Sequence, residues 1–371
     1  MKTITGKIFL LLISSLLIVA CTSPAPAPAP IPTNPVSKPT PLGSNPASVT
    51  GTEQSLGMNS TSQGLPTQNP SNPELIDYTH KKSFFRFKIP ANWKVDEQES
   101  FTNITAPDDS GFIQVVAVNT GFELNELGFA NFVDATEAYN FAKYMNYSQV
   151  ERTVDSKKGF ATLQSTLDFN KIPQKILSIY QRQGRMVFYM HFWSNADTYE
   201  TNGPLYEQIS RSRFFDSAYA EELKPYSILY EFTGPNNLFA LKIPINWAHQ
   251  NFANEKMIRD TFISPEGYAS IQNITYDDGY TVTRGEADLI ALELLKEIYA
   301  KDVRISEART QADLSIRWTW ASKSGGIEGT SFYETRGTSF LMLTLFCDKE
   351  YKNIFDPLFT RIIESYQLPE R

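Results

Sequence analysis

Histidine, cysteine and paired carboxylates are the raw material of most catalytic and metal sites, and this chain is short of the first two. Its 371 residues contain three histidines, His80, His191 and His249, and two cysteines, Cys21 and Cys347. The histidines lie too far apart for a local ligand pair, and neither His-Glu-x-x-His nor Cys-x-x-Cys occurs, so the sequence carries no zinc signature. His191, flanked by Tyr189, Met190, Phe192 and Trp193, is expected as a hydrogen-bonded core histidine on a strand, and His249 as a solvated loop residue behind Trp247. The carboxylate pairs Asp108 with Asp109 and Asp277 with Asp278 lack the long alternating ligand series of a calcium loop and read as turn residues. Neither folded half has the Gly-x-Ser-x-Gly that exposes a serine nucleophile. Ser324, Gly325 and Gly326 lack the phosphate-cradling Gly-x-x-x-x-Gly-Lys-Ser/Thr pattern and suggest a hairpin turn. These patterns imply no metal, no cofactor and no catalytic residue, and the expectation is a protein that is not an enzyme.

One spacing does define a reaction. Lys2 and Lys7 make a positive start, residues 8–20 form an apolar run of 13, and Ile18, Val19 and Ala20 stand directly before Cys21. A 13-residue helix is about 20 Å long against a hydrocarbon core of about 30 Å, which favours a removed secretory signal over a permanent span. The order Ile18-Val19-Ala20-Cys21 looks like the bacterial lipobox, in which the cysteine thiol takes up diacylglycerol and the newly exposed amine is acylated, for example with palmitate. Cys21 would then be the mature N-terminus. Several acyl chains, at about 0.8 kcal/mol per buried methylene, would hold the protein on the extracytoplasmic face of a membrane. The alternative is an ordinary signal peptide with an incidental cysteine. Cys347 is the other thiol; within the apolar run 341–347 it is expected as a small core side chain.

The elements behind this leader fall into a tether and two similar halves. Between residues 22 and 74 lie 12 of the 22 prolines, beginning with alternating Pro and Ala at 24–30, and no apolar periodicity appears. Such a segment stays extended, and if half extended it would place the folded part roughly 80 Å from the bilayer. The remainder repeats itself. Phe85-Arg86-Phe87-Lys88-Ile89-Pro90-Ala91-Asn92-Trp93 matches Phe239-Ala240-Leu241-Lys242-Ile243-Pro244-Ile245-Asn246-Trp247 at an offset of 154, with six of nine positions identical. Pro107 and Gln114 match Pro265 and Gln272 at 158; Tyr180 and Gly184 match Tyr333 and Gly337 at 153, as do Leu205, Ile209 and Ser212 with Leu358, Ile362 and Ser365. The expected organisation is a signal at 1–20, an anchor cysteine and tether at 21–75, and domains at 76–220 and 221–371, with the junction near 218–225.

Within each half the spacing predicts a short alternating strand at 85–89 and 239–243 that ends at Pro90 or Pro244. Trp93 and Trp247 follow a tight bend, each expected as an apolar peg, with a ligand platform as the alternative. Strands are predicted at 101–106 and 112–118, mirrored by 260–264 and 269–276. Helices are predicted at 131–144 and 285–300, the latter with an apolar face of Leu289, Leu292, Ile298 and Tyr299. Three long strands follow in each half. Leu314, Ile316, Trp318 and Trp320 alternate with polar residues, and the last two strands of each half turn at Gly184 or Gly337. An amphipathic helix closes each half, at 204–213 and 352–366. The fold class is therefore α+β: two tandem domains, each a mostly antiparallel sheet flanked by helices.

The segment Phe-x-Phe/Leu-x-Ile-Pro-x-Asn-Trp at the start of both halves, with late hairpins and a closing helix, resembles the PsbP/Mog1-like superfamily over about 290 of the 371 residues. That resemblance implies a central antiparallel sheet between helices. Members include extrinsic photosystem II subunits, a Ran-binding nuclear factor and many bacterial lipoproteins. It implies a non-catalytic binding or envelope-assembly protein, joined to the membrane through Cys21 and to an unidentified protein or envelope partner. Two domains and a long stalk depart from the photosystem subunits, so a photosynthetic role is the lesser alternative. A small-molecule or metal receptor, or an unrecognised hydrolase, is the other. A net charge of −7 and a pI near 5.2 argue against nucleic acid as a partner.

Overall fold

The computed structural model describes residues 73–298, 303–310, 316–322 and 325–368. Ile18, Val19, Ala20, Cys21 and the proline-rich stretch as far as residue 72 lie outside the described residues, as do Tyr299, Ala300, Leu314 and Ser324. The first half runs β1 (Leu75–Thr79), β2 (Phe85–Pro90), β3 (Lys94–Glu97), β4 (Phe101–Thr105), β5 (Gly111–Asn119), α1 (Glu126–Phe141), β6 (Met145–Asp155), β7 (Phe160–Phe169), β8 (Ile172–Gln183), β9 (Met186–Asn195), α2 (Tyr199–Ser212) and β10 (Phe214–Phe215). The second runs β11 (Leu229–Thr233), β12 (Ala240–Pro244), β13 (Ala248–Ala253), β14 (Met257–Ile263), β15 (Ala269–Asp277), α3 (Arg284–Ile298), β16 (Arg304–Thr310), β17 (Ile316–Ala321), β18 (Ile327–Arg336), β19 (Ser339–Asp348) and α4 (Lys352–Glu364).

Each half is built on a seven-stranded antiparallel sheet, in the order β3-β4-β5-β9-β8-β7-β6 and β13-β14-β15-β19-β18-β17-β16. The protein is α+β, with two sheets of one topology in tandem. The repeat extends to hydrogen-bond register: Leu75 opposes Pro90 as Leu229 opposes Pro244, and Gln183 opposes Met186 as Arg336 opposes Ser339. Gly184 and Gly337 open these two-residue hairpins at φ 56° and 62°, in the left-handed region where a Cβ is strained.

The central strands β5 and β9 are apolar on both faces and are covered on both. Ile113, Val115, Phe188 and Met190 face β2 and α2, packing on Phe85, Phe87, Leu205 and Ile209. Val116, Val118, Val187 and Tyr189 face α1 through Phe129, Phe132 and Val133. The layers are thus α1, sheet, and β2 with α2, and at about 2 kcal/mol per buried large apolar side chain each interface is a main source of stability. The second half repeats them, with Leu241, Ile243, Phe355, Leu358 and Ile362 on one side and Ala287, Ala291 and Leu295 of α3 on the other. Cys347 is a small buried side chain in the α4 layer, its thiol pushed up to about 12, chiefly by burial.

A serine fastens each closing helix to its strand. Ser212 Oγ accepts from the Lys88 amide at 2.8 Å and donates to the Ile209 carbonyl at 2.7 Å. Ser365 Oγ accepts from the Lys242 amide at 2.9 Å and donates to the Ile362 carbonyl at 2.7 Å.

Several expectations need correction. Helix α1 starts at Glu126, not 131, because Asn125 caps it by accepting from the Gly128 amide at 2.7 Å, and it ends at Phe141. Leu289 is not on the buried face of α3 but 62% exposed, since the sheet is met by the Ala287, Ala291 and Leu295 stripe. Pro204 lies inside α2, which begins at Tyr199. His249 is on strand β13 and not in a loop. Four long strands, not three, follow each first helix, the extra ones being the edge strands β6 and β16, and the strands β1, β3, β11 and β13, each with mostly exposed or half-buried residues, were not anticipated either.

Candidate functional site

The repeated Pro-x-Asn-Trp motif adopts one backbone role in both halves and two different environments. Pro90 and Pro244 end β2 and β12, and the Trp93 and Trp247 amides close the bend by donating to their carbonyls at 3.1 and 3.2 Å. In the first half Ala91 and Asn92 are exposed. Trp93 is half-buried and lies across Gly111, where an added Cβ would sit 2.8 Å from the indole and 2.7 Å from the Tyr206 hydroxyl. In the second half the whole motif is buried. Trp247 is 3% exposed and stands edge-on to Tyr226 and Phe355, and Asn246 is 1% exposed.

Trp247 is buried within its own half, whereas Asn246 is buried against the first half. Asn246 Nδ2 donates to Thr136 Oγ1 on α1 at 2.7 Å, and that hydroxyl donates to the Phe132 carbonyl at 2.7 Å, so no polar atom of the pair that takes part is lost to desolvation. Asn131 Nδ2 reaches the Pro265 carbonyl at 2.8 Å, and Tyr139 packs on Tyr230 with ring centroids 4.7 Å apart. Phe122 extends the seam into an aromatic group with Tyr268, Tyr351 and Phe355. Glu266, pushed up to about 6 chiefly by burial, accepts from the Tyr226 hydroxyl at 2.8 Å. The connection between halves is tied at both ends: Asn119 Nδ2 donates to the Leu223 carbonyl at 2.7 Å, and Arg361 donates to the Pro225 carbonyl at 2.7 Å.

The densest titratable cluster sits between α1 and the first sheet. Tyr180 donates to Glu137 Oε1 at 2.7 Å, and His191 Nε2 is 3.1 Å from the same phenol oxygen. A phenol has one proton, so with that proton on the glutamate contact the histidine must donate from Nε2, which fixes its tautomer. Burial holds the His191 imidazole neutral, lowering it to about 3, and raises Glu137 to about 7. Glu137, Tyr180 and His191 are each at most 3% exposed, so no substrate reaches them: the cluster is a hydrogen-bonded core, as His191 was expected to be. In the second half Tyr333 donates to Asp288 Oδ1 at 2.8 Å, while Thr344 stands in the register position of His191.

His249 makes a second arrangement. Its Nε2 lies 2.9 Å from Asp260 Oδ1, Asn251 donates to that oxygen at 2.7 Å, and Phe262 stacks on the ring at 4.5 Å. This orients an imidazole as a base is oriented, but among the described residues its hydrogen bonds bring no hydroxyl or thiol. His80 is buried, with Nε2 3.0 Å from the Gln98 carbonyl. Asp108 and Asp277 act as turn residues, accepting from the Ser110 and Gly279 amides. Among the described residues no group of three or more His, Cys, Asp or Glu could hold a metal ion, and no helix is long and apolar enough to cross a membrane.

The surface offers one end of the first sheet as a contact area. Met145 at the start of β6 is 70% exposed and Ile172 at the start of β8 is 48% exposed. Met145 opposes Asp168 and Ile172 opposes Phe169, so adjacent ends of β6, β7 and β8 bring both to one edge of the sheet. Tyr144 packs on Phe169 at 5.7 Å and on Trp193 at 5.9 Å, and Tyr147 stacks on Phe141 at 6.3 Å, so packed rings lie on the face that Ile172 shares with Phe169, while Met145 lies at the end of the other face. Sequence patterning missed this area because exposure is a tertiary property; Asn146, Asn170 and Lys171, all at positive φ, mark only that the chain turns there. A shallow open depression of about 380 Å³ lies elsewhere on the first half, between Phe122, Arg185 and Ala218.

No protein-family model matches this chain, and no curated protein matches it. Among solved structures, the cyanobacterial PsbP (CyanoP) of Synechocystis sp. PCC 6803 is similar at a TM-score of 0.31 and 11% identity, over 41% of this chain and 98% of that one. A protein of Bacteroides thetaiotaomicron VPI-5482 is similar at 0.26 and 12% identity, over 44% and 54%. The immunity protein TplEi of the type VI secretion system of Pseudomonas aeruginosa is similar at 0.21 and 12% identity, over 75% and 97%.

Proposed function

We propose that this chain is an extracytoplasmic lipoprotein of tandem PsbP/Mog1-like domains, held on a membrane by lipid at Cys21, that binds a protein or envelope partner and catalyses no reaction. The observation that carries the binding part is the exposed Ile172 on the face it shares with the packed Tyr144, Phe169 and Trp193 rings, with exposed Met145 at the neighbouring strand end. Exposed apolar side chains at one end of a sheet, beside packed rings, lose water on contact, which is how contact surfaces differ from scattered exposed apolar residues. The anchor part rests on Ile18-Val19-Ala20-Cys21, and the family part on the repeated Phe-x-Phe/Leu-x-Ile-Pro-x-Asn-Trp segment. A tether of some 50 residues would let the folded part reach partners well away from the bilayer.

The test is a photo-crosslinking residue placed at Met145 or Ile172 in intact cells. A discrete adduct that disappears when the other position is changed to Asp supports the reading; crosslinks no different from those at an exposed control such as Lys158 overturn it. Cys21→Ser is expected to release the protein from membranes, and unchanged retention with an unmodified thiol would sink the anchor.

A further inference from the structure

The seam between the halves joins unlike surfaces: the outer face of α1 in the first half meets the Pro-x-Asn-Trp loop and β11 of the second. Because the halves share one register, the chain carries each of these surfaces twice, and the second copy of each is uncovered. On the first half, Asn92 and Ala91 are exposed where Asn246 and Ile245 are buried, and Ile76 is 43% exposed at the position of the seam residue Tyr230. On the second half, α3 begins 158 residues after α1, which places Leu289 at the position of the seam residue Asn131 and Leu294 at that of Thr136. Leu289 is 62% exposed.

We propose that these two open surfaces are complementary and that copies of this chain associate head to tail, the outer face of α3 of one copy covering Ile76 and the Ala91-Asn92-Trp93 loop of the next. The contact extends the internal seam by one more step: Leu289, in place of Asn131, meets Pro107, which is exposed where its counterpart Pro265 is buried, and Ile76 takes the place of Tyr230. Charge agrees: Glu293 on α3 and Lys94 at the start of β3, both exposed and opposite in sign, stand where the contacting elements α1 and β13 carry the uncharged Ala135 and Ala248. A contact between unlike surfaces leaves each end of the assembly able to take another copy, so the association is open-ended unless the rotation closes it. The surface is distinct from the Met145 and Ile172 edge, and the inference does not depend on that edge binding a partner.

Sedimentation of the full chain, in detergent at large excess over protein, tests this. The weight-average mass is expected to rise from one protomer to at least double as the concentration increases. Leu289→Asp and Ile76→Asp each remove one surface, so each variant alone stays a monomer at all concentrations. A mixture of the two still offers one intact surface of each kind and is expected to give dimers and nothing larger. A wild-type chain that stays monomeric, a single variant that associates like the wild type, or a mixture that stays monomeric overturns the proposal. Both positions are exposed, and unchanged thermal transitions confirm that the variants fold. Met145→Asp is expected to associate as the wild type does, which separates failure of this inference from failure of the partner-binding reading.

Discussion

The Asn92-Trp93 and Asn246-Trp247 segments have the same sequence pattern, follow the same strand and close the same bend, yet Asn92 is exposed and Trp93 half-buried, while Asn246 is sealed under α1 and Trp247 under Tyr226 and Phe355. Among the described residues, the difference at the asparagine follows from α1, which meets Asn246 through Thr136 and leaves Asn92 exposed. The polar cores also diverge: Glu137, Tyr180 and His191 in one half, Tyr333 with Asp288 in the other, the carboxylates coming from different turns of α1 and α3. A register can therefore be inherited intact while the chemistry on it drifts.

The largest expected contrast is at the tryptophans. Trp247→Ala empties a sealed site and should cost about 3–5 kcal/mol in chemical denaturation, with Trp93→Ala at about half that, because its indole is already partly in water. Equal losses would break the distinction between the motifs. Next comes Glu137, whose carboxyl titrates at about 7 when folded against 4.5 as a free side chain. The folded state then binds this proton more tightly, so its contribution is complete below about 4.5 and is lost as pH rises to about 7, a fall on the order of 3 kcal/mol. Glu137→Gln, which keeps an acceptor for Tyr180, should flatten the melting temperature over that window. A slope that survives the substitution would assign it elsewhere, Glu266 first.

Asn246→Ala strands the buried environment around Thr136 and should cost about 1–3 kcal/mol, whereas Asn92→Ala on open surface should stay within about 0.5 kcal/mol. The smallest effect sharpens the likeness rather than the contrast. Ser212→Ala and Ser365→Ala remove the same pair of hydrogen bonds and should each cost about 1 kcal/mol in equilibrium unfolding, equal within error.

What could be read from the sequence was what local chemistry dictates. Pro90 and Pro244 end strands, Gly184 and Gly337 turn hairpins, and the alternation of Trp318 and Trp320 marks an inward face, so the α+β class and tandem arrangement followed. Where local signals were weak, tertiary packing decided. Strands β1 and β11 have no clean alternation because they lie at the margin of their sheets. The start of α1 was missed because its cap, Asn125, lies ahead of the apolar run, and Leu289 was misplaced because the narrow alanine stripe of α3 gives little periodic signal. Of the candidate site residues, the paired Pro, Asn and Trp positions were legible, but not their opposite fates. Glu137 and Tyr180 are 43 residues apart, and Asn246 and Thr136 are 110 apart, distances at which no spacing rule operates.

The short connection between the halves has its Leu223 and Pro225 carbonyls held by Asn119 and Arg361, and the Tyr226 amide donating back to the Asn119 carbonyl at 2.9 Å. A protease needs to draw several residues of backbone into its cleft as an extended strand, and here that would mean breaking all three bonds first. Digestion should accordingly release both halves as one fragment.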